Sequence, residues 1–441
     1  MGTLVRTLRF RDLTLLIVGG VIGSGIFLVP GAILRRVDGS AGLGLLAWLV
    51  GGLLSLLGAL TYGELAAMNP ETGGLYIYVR DGFGRLPAFL YGWTLFLVVS
   101  TGSVATLAVA FSAYLAQIEP LTPLAAKAGA VAMIAAVTAI NIRGARHSSN
   151  FQNWTTFVKV GAIVLMGVAL LVLGHGYALT AAGFWPAKWS GSLLSRFGVA
   201  MLAVLWAYEG WQFPAYTAGE TVDPQRNFPR AFLIGTLCLI AIYLFANAGY
   251  LAALGPARAA ATDTIAASAV AAVSRAGLAR LVALIILVAT FSAANSVQLT
   301  APRVFYAMAA DGLFFQKLAT IHPRFRTPAF AVLASGIWSA VLASSGSFEQ
   351  LFTYVIFTGW IFYGLAAASI FLYRRRQPHR PRPYLVPGYP WTPALFVLAA
   401  AAIVVNAIAV GPSGAAEGLA IVLTGVPAYF FWHSRAKGLA L

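Results

Sequence analysis

The sequence predicts an all-α membrane protein with twelve transmembrane helices. Three observations predict it. Of 441 residues, 60% are hydrophobic, and the mean hydropathy is +0.82. Only 10% are Asp, Glu, Lys or Arg, whereas soluble domains carry about 25%. Apolar runs close to the ~20 residues that a membrane helix needs recur along the whole chain. This composition excludes a soluble globular fold, a disordered chain and a nucleic-acid binder. The net charge of +16 is no nucleic-acid signal, because the cations sit in short gaps between apolar runs and not on one polar face. A single cysteine, Cys238, excludes a disulfide framework and a cysteine-rich metal site.

Taken in order, the runs lie near 13–34, 43–68, 87–116, 123–140, 152–174, 193–218, 231–254, 279–308, 328–345, 349–372, 391–410 and 414–432. The first is too long for a cleaved signal core and reads as a retained span. The longest connections, near 175–192 and 373–390, are short and rich in Pro, Trp, Gly or Arg. Residues 1–441 therefore read as one membrane domain. Lys and Arg favour cytoplasmic loops. With the N-terminus inside, twenty of the 29 basic residues fall in cytoplasmic segments. Both termini are then expected in the cytoplasm, and the positive charge is largely an orientation signal, with some attraction to anionic headgroups. The run Arg374-Arg375-Arg376 is expected to anchor in headgroups, and Glu64 to make a loop contact.

Two spans read as broken. The first contains Gly19-Gly20-Val21-Ile22-Gly23-Ser24-Gly25 at its middle. Glycine costs roughly 1 kcal/mol in a helix interior, so this stretch is either a close-packing face or an unwinding. The sixth contains Trp206-Ala207-Tyr208-Glu209-Gly210-Trp211-Gln212-Phe213-Pro214. A carboxylate at membrane depth is expensive unless it faces a cavity or a partner, and Pro214 removes a backbone donor. The breaks are five spans apart. That spacing fits two five-helix repeats of opposite topology, whose interrupted first helices meet near the bilayer midplane. The repeats would be 13–174 and 193–372, with accessory helices over 391–432. At such a break, free amides suit an anion and free carbonyls a cation. The pair of breaks suits a zwitterion, with its carboxylate on the amides of Gly23, Ser24 and Gly25. Its ammonium would lie on the carbonyls of Val21, Trp206, Ala207 and Glu209.

Four ordered stretches carry a family resemblance. They are Gly20 to Phe27; Tyr62-Gly63-Glu64-Leu65 with Gly73-Gly74-Leu75-Tyr76 and Gly84 to Phe89; Trp206 to Trp211 with Glu220, Pro224 and Arg226 to Ala231; and Arg303-Val304-Phe305 with Asp311-Gly312 and Arg326-Thr327-Pro328. Together they resemble the amino acid–polyamine–organocation superfamily, most closely its L-type amino acid transporter branch. The resemblance implies a leucine-transporter-like fold of twelve helices with a 5+5 inverted repeat. It also implies amino acid transport, often by exchange and without sodium. It places the carboxylate-binding amides at Ser24 and Gly25, the ammonium-binding carbonyls at Val21, Trp206 and Glu209, and the aromatic gate at Trp206. In span eight, Val297 or Asn295 falls where the family often sets a large side chain near the substrate. At Glu209 the family leads us to expect aspartate or an uncharged residue.

Lys159 lies eight residues into span five, roughly 12 Å deep at ~1.5 Å per residue. Either it snorkels to the interface, or its ammonium is held between spans one, five and eight by unwound carbonyls and by Ser292 or Asn295. The second reading resembles the family's fifth-span lysine, placed where sodium-coupled relatives hold a sodium ion. Sodium independence follows from it, and a proton-carrying role stays open. Glu209 is a capping carboxylate, a proton acceptor or a contact for a cationic substrate. No cofactor, metal constellation, phosphate loop or nucleophile–His–acid pattern appears, so an enzyme is not expected. The expectation is a secondary transporter of neutral L-amino acids in a bacterial inner membrane, by exchange or uptake. A proton-coupled symporter and a non-transporting amino-acid sensor are the alternatives, and short ends weigh against the sensor.

Overall fold

The computed structural model describes residues 3–174, 184–186, 188–274, 278–345 and 348–438. His175 and Arg275, which the orientation read from the sequence sets in outer connections, lie outside the described residues. The first apolar run forms α1 (Phe10–Val21) and α2 (Gly25–Arg36), which meet at 47° across Ile22–Ser24. Next comes α3 (Ala41–Met68), whose first turn is capped by Ser40 Oγ accepting from the Leu43 amide at 3.3 Å. The short α4 (Leu75–Phe83) leads to α5 (Arg85–Thr94), which passes through a π-turn at Leu95–Val99 into α6 (Ser100–Ile118). Two long helices follow, α7 (Pro123–Ile142) and α8 (Ala145–Leu173).

The second half begins with α9 (Gly191–Ala207), which stops and is followed by a 3-10 segment, Phe213–Glu220. The remaining helices are α10 (Pro224–Ala260), α11 (Ile265–Val273), α12 (Leu278–Thr300), α13 (Pro302–Ala310), α14 (Ala329–Ser345), α15 (Phe348–Arg376), α16 (Trp391–Val410) and α17 (Pro412–Gly438). Among the described residues, eight helices are long and apolar enough to cross a bilayer, and α1 with α2 make a ninth as a bent pair. The chain is an integral multi-pass membrane protein. Lipid offers no hydrogen bonds to a bare backbone, so helices are the form expected of these runs.

Packing places α1 innermost, against α8, α10 and α12. Its partner half α2 packs on α9 and α10. α16 lies against α15 and α3, and α17 against α5 and α15, at the edge of the assembly. The residues Leu16 to Val21 of α1 are all buried. Glycine makes that fit possible. A Cβ added to Gly20 would meet Ser296 Oγ at 2.6 Å, and one on Gly19 would collide with Thr156 and Gln152.

The arginine-rich end of the bundle is closed by ion pairs. Arg303 Nε and Nη2 donate to Glu220 at 2.6 and 2.9 Å, with both side chains buried. Just before α1, the amides of Thr7 and Leu8 donate to the Glu220 carbonyl, and Val222 donates back to Leu8. Glu64 makes the contact expected of it, accepting from Arg374 at 3.0 and 2.6 Å and from the Val386 amide. Arg374 also lies 3.7 Å over the Tyr389 ring, and Arg376 donates to the Gly82 carbonyl. Two of the three arginines read as a headgroup anchor are therefore spent on the protein itself. Their side chains are long enough to reach acidic and carbonyl groups on neighbouring segments, which a run of charges in sequence does not reveal.

Breaking a buried ion pair strands the other charge, at about 3–5 kcal/mol. Arg303→Met should therefore lower the thermal unfolding midpoint of the detergent-solubilised protein sharply. Adding Glu220→Gln to that variant should restore part of the loss. A single variant as stable as the parent would show that the pair does not hold this end together.

Candidate functional site

The first break is set by packing. After Val21 the chain leaves the helix at Ile22 (φ −72, ψ 88), and the Gly23 amide turns back onto the Val21 carbonyl at 2.8 Å. A Cβ on Gly25 would lie 2.8 Å from both Cα and Cβ of Ala207, and one on Gly23 would lie 3.0 Å from Leu107 Cδ2. The glycine stretch is thus both things that the sequence left open. Gly19 and Gly20 are a packing face, and Gly23 and Gly25 are the break. The second break is set by conformation. α9 ends at Ala207, and Gly210 takes φ +114, a region open mainly to glycine. Pro214 sits in the first turn of the 3-10 segment. The interruption falls inside the stretch Trp206 to Pro214 that the sequence marks, ahead of the proline.

A cavity of about 30 Å³ lies between the breaks, enough for roughly two waters. It brings together Val21, Gly23, Ser24, Gly25, Trp206 and Glu209 of the residues singled out from the sequence, and Val297 from span eight. Ala207 does not line it but backs onto Gly25. Gly20 of the first-span stretch lines it too, and Ser103, Leu107, Phe213 and Ala293, which were not anticipated, complete the wall. Ser103 follows the π-turn of the α5–α6 helix, a feature common near functional sites, and nothing in its sequence marks that turn.

Two opposite polar features share this cavity. Gly25 opens α2, so its amide has no intrahelical acceptor and the positive end of the helix dipole points there. Ser24 Oγ is buried with no hydrogen-bond partner among the described residues. The negative feature is Glu209, whose Oε1 accepts from Tyr363 Oη at 2.5 Å and from Gln212 Nε2 at 2.8 Å. Among the described residues no donor reaches its Oε2. Three of the four carbonyls expected to take a cation, those of Val21, Trp206 and Ala207, already accept hydrogen bonds. Tyr243 Oη lies 2.7 Å from the Ala207 carbonyl and 3.1 Å from that of Val21. The Trp206 carbonyl accepts the Glu209 amide at 3.0 Å. Tyr243 lies in an apolar stretch of α10, and only the three-dimensional fold brings its hydroxyl to both breaks.

Lys159 is fully buried, and its Nζ donates to the carbonyls of Gly19 and Ile22 at 2.5 and 2.6 Å. In a continuous helix those oxygens would accept from residues 23 and 26. The break removes both donors, and the ammonium replaces them. The side chain points inward, not toward the bilayer surface. Ser292 and Asn295 do not join it, which corrects that part of the expectation. Gln152 engages them instead, donating to Ser292 Oγ at 3.1 Å and accepting from Asn295 Nδ2 at 2.9 Å. Asn295 Oδ1 further accepts from Asn141 at 2.9 Å. These buried amides lock α7, α8 and α12 together, and the distance along α8 from Gln152 to Lys159 keeps them off the ammonium.

Comparison with known proteins decides the family. A model described as amino acid permease matches residues 8–429. The chain belongs to that family. Within it, the relatives are of L-type character. The chain is 31% identical to the serine/threonine exchanger SteT of Bacillus subtilis, covering 95% of each protein. It is 32% identical to the large neutral amino acids transporter small subunit 2 of Homo sapiens, over 96% of this chain and 80% of that one. The Asc-type amino acid transporter 1 of Homo sapiens is 31% identical, over 96% and 82%. The chain is thus a member of the amino acid–polyamine–organocation superfamily, and membership supports amino acid transport.

Lys159→Ala should leave two buried carbonyls unpaired, each worth about 1–3 kcal/mol. The expected result is a clear fall in thermal stability, read in detergent by intrinsic fluorescence. Gly25→Val should push α2 off Ala207 and disturb the cavity while the protein still assembles. Unchanged stability of the lysine variant would mean that water satisfies those carbonyls.

Proposed function

We propose that this chain is a secondary transporter that carries neutral L-amino acids across the membrane by alternating access, through sodium-independent exchange. One observation supports the reading above others: a single cavity between two helix breaks holds a helix N-terminus with the unpartnered Ser24 hydroxyl and the Glu209 carboxylate. In this proposal the substrate carboxylate lies on the amides of Ser24 and Gly25, and its ammonium faces Glu209 Oε2. Trp206, nearly buried at 7% exposure, closes over it. The cavity is small, so binding requires Trp206 or the α1–α2 junction to shift, which is how binding would couple to motion.

The finer architecture belongs to the same proposal. Counting the shorter α9 and α14 and the long α15 as spans gives twelve, arranged as inverted repeats 13–174 and 193–372 with α16 and α17 accessory. Both termini face the cytoplasm of a bacterial inner membrane, as the arginine distribution suggests. The names of the relatives, an exchanger and transporters of neutral amino acids, agree with the substrate class. The fixed charge of Lys159 in the first break stands in for a coupling cation. A second reading, proton-coupled symport, is favoured by the Glu209 carboxylate, which lies in the cavity and could take up a proton with the substrate.

Proteoliposomes separate the two. For an exchanger, labelled L-serine or L-alanine should enter only against internal amino acid, equally in sodium and potassium buffers. Uptake into empty vesicles driven by an inward pH gradient would instead establish the symporter. Trp206→Ala should lower exchange at least tenfold, while Glu209→Gln should weaken substrate affinity. Affinity unchanged by Glu209→Gln would remove the carboxylate from the site.

A further inference from the structure

We propose that the foot of α1 and the start of α8 form a binding site for the headgroup of an anionic phospholipid. The inference stands apart from the transport reading. A cavity of about 460 Å³ opens there, bordered by Arg9, Arg11 and Asp12 from the start of α1 and by Arg146 and Asn153 from α8. Its electrostatics select an anion. Asp12 is the one acidic residue of the cavity among the described residues, and it is already committed. Its Oδ2 accepts from Arg146 Nη1 at 2.9 Å and from the Arg9 amide at 2.8 Å, and its Oδ1 accepts from Asn153 at 2.7 Å. One carboxylate thus faces three guanidinium groups. Arg9 and Arg11 have no acidic partner among the described residues. Guanidinium groups match phosphate oxygens in pairs, so a phosphate diester is the chemistry this excess charge fits.

The surroundings make the anion a lipid. Arg146, Asn153 and Phe157 succeed one another at spacings of seven and four along one face of α8. Below them this face stays apolar and exposed at Val164, Val168 and Leu171, and the strip beside it exposes larger side chains. Trp154 is 64% exposed, Leu165 73% and Val172 71%. Gly161, between them, has open space where a Cβ would point. This face therefore passes from arginine through an interfacial tryptophan to aliphatic side chains in the order that a phospholipid passes from headgroup to acyl chain. The Arg11 guanidinium sits 5.1 Å from the Phe157 ring centroid, so one cation of the cavity leans over the apolar strip. A phosphate held by these arginines leaves its chains lying along α8. The lipid then bridges the half-helix that carries the first break to the helix that carries Lys159.

The test uses Trp154 as a local reporter in the full-length protein. The protein is reconstituted in phosphatidylcholine vesicles containing brominated phosphatidylglycerol or, separately, brominated phosphatidylcholine. The difference between parent and Trp154→Phe isolates quenching of Trp154. Phosphatidylglycerol should quench it more strongly at equal mole fraction. Arg9→Gln and Arg11→Gln should each weaken that preference about fivefold, the equivalent of about 1 kcal/mol per arginine. Arg375→Gln, which removes an exposed cation elsewhere, should leave it intact. Equal quenching by the two lipids would overturn the site. So would an equal loss in Arg375→Gln, since that means a diffuse surface charge. Abolition of the preference by inorganic phosphate in the buffer, with sulfate at matched ionic strength inert, would assign the cavity to a soluble phosphate and overturn the lipid.

Discussion

The structure depends on how one buried helix is allowed to stop. A helix that ends inside a bilayer leaves amides and carbonyls without water to bond. Here the two ends created by the break are treated differently. At the end of α1 the orphaned carbonyls of Gly19 and Ile22 accept from Lys159. A cation at a helix C-terminus is also the favourable sense of the helix dipole. At the start of α2 no side chain among the described residues plays the matching role, and Ser24 there turns a hydroxyl without a described partner to the cavity. One interruption thus produces a pole closed by the protein and a pole that opens on a cavity. Burying the lysine is costly by itself, and two carbonyls at short range are what make its position tenable.

The glycines divide between space and conformation, and the division explains why both breaks can be narrow. Gly25 lies against the backbone of Ala207, the last residue of α9. The start of one half-helix therefore abuts the end of another. Any side chain at position 25 would separate the two breaks and widen the gap between their polar ends. Gly210 does the complementary work by turning the chain where a side chain would be strained. Tyr243 then joins the two junctions through the carbonyls of Val21 and Ala207. The breaks are mechanically coupled before any ligand is considered.

Much of this was legible in the sequence, and the reasons are physical. Apolar runs report helices because lipid leaves the backbone no other form, so each sequence-read run falls on helix, whereas the short α4 and α11 match no run and α8 and α10 each begin seven residues before theirs. Glycine pairs and a carboxylate inside such runs report interruptions because each carries a cost that continuous helix does not repay. Lys159 was legible as a buried cation on the same logic. What stayed hidden depends on partners distant in sequence. Nothing local marks Tyr243 as the hydroxyl that reaches both breaks, Gln152 as the partner of Ser292 and Asn295, or Arg374 as the partner of Glu64. Ser103 and Phe213 are ordinary residues of apolar helices until the fold turns them to the cavity. The second break was legible as the stretch Trp206 to Pro214, but which of its residues turns the chain was not, because the turn at Gly210 is specified by φ alone.

The engagement of the Val21 and Ala207 carbonyls by Tyr243 changes how the proposed site would recognise charge. A carbonyl offers a partial charge, and the site would then discriminate an ammonium from a neutral donor only weakly. A carboxylate offers a full charge whose effect grows as water is excluded. Both donors to Glu209, from Tyr363 and Gln212, converge on Oε1. They orient the carboxylate through one oxygen and leave the other for the cavity. Such an arrangement holds the group in place without satisfying it. Under the proposed function, a zwitterion would complete two unfinished electrostatic environments at once, the N-terminus of α2 and Oε2 of Glu209. A ligand carrying only one of the two charges would complete one and leave the other exposed in a closed space. Recognition of an amino acid over a simple amine or acid then needs no contact with its side chain, and the Trp206, Leu107 and Val297 walls are left to choose among side chains by size.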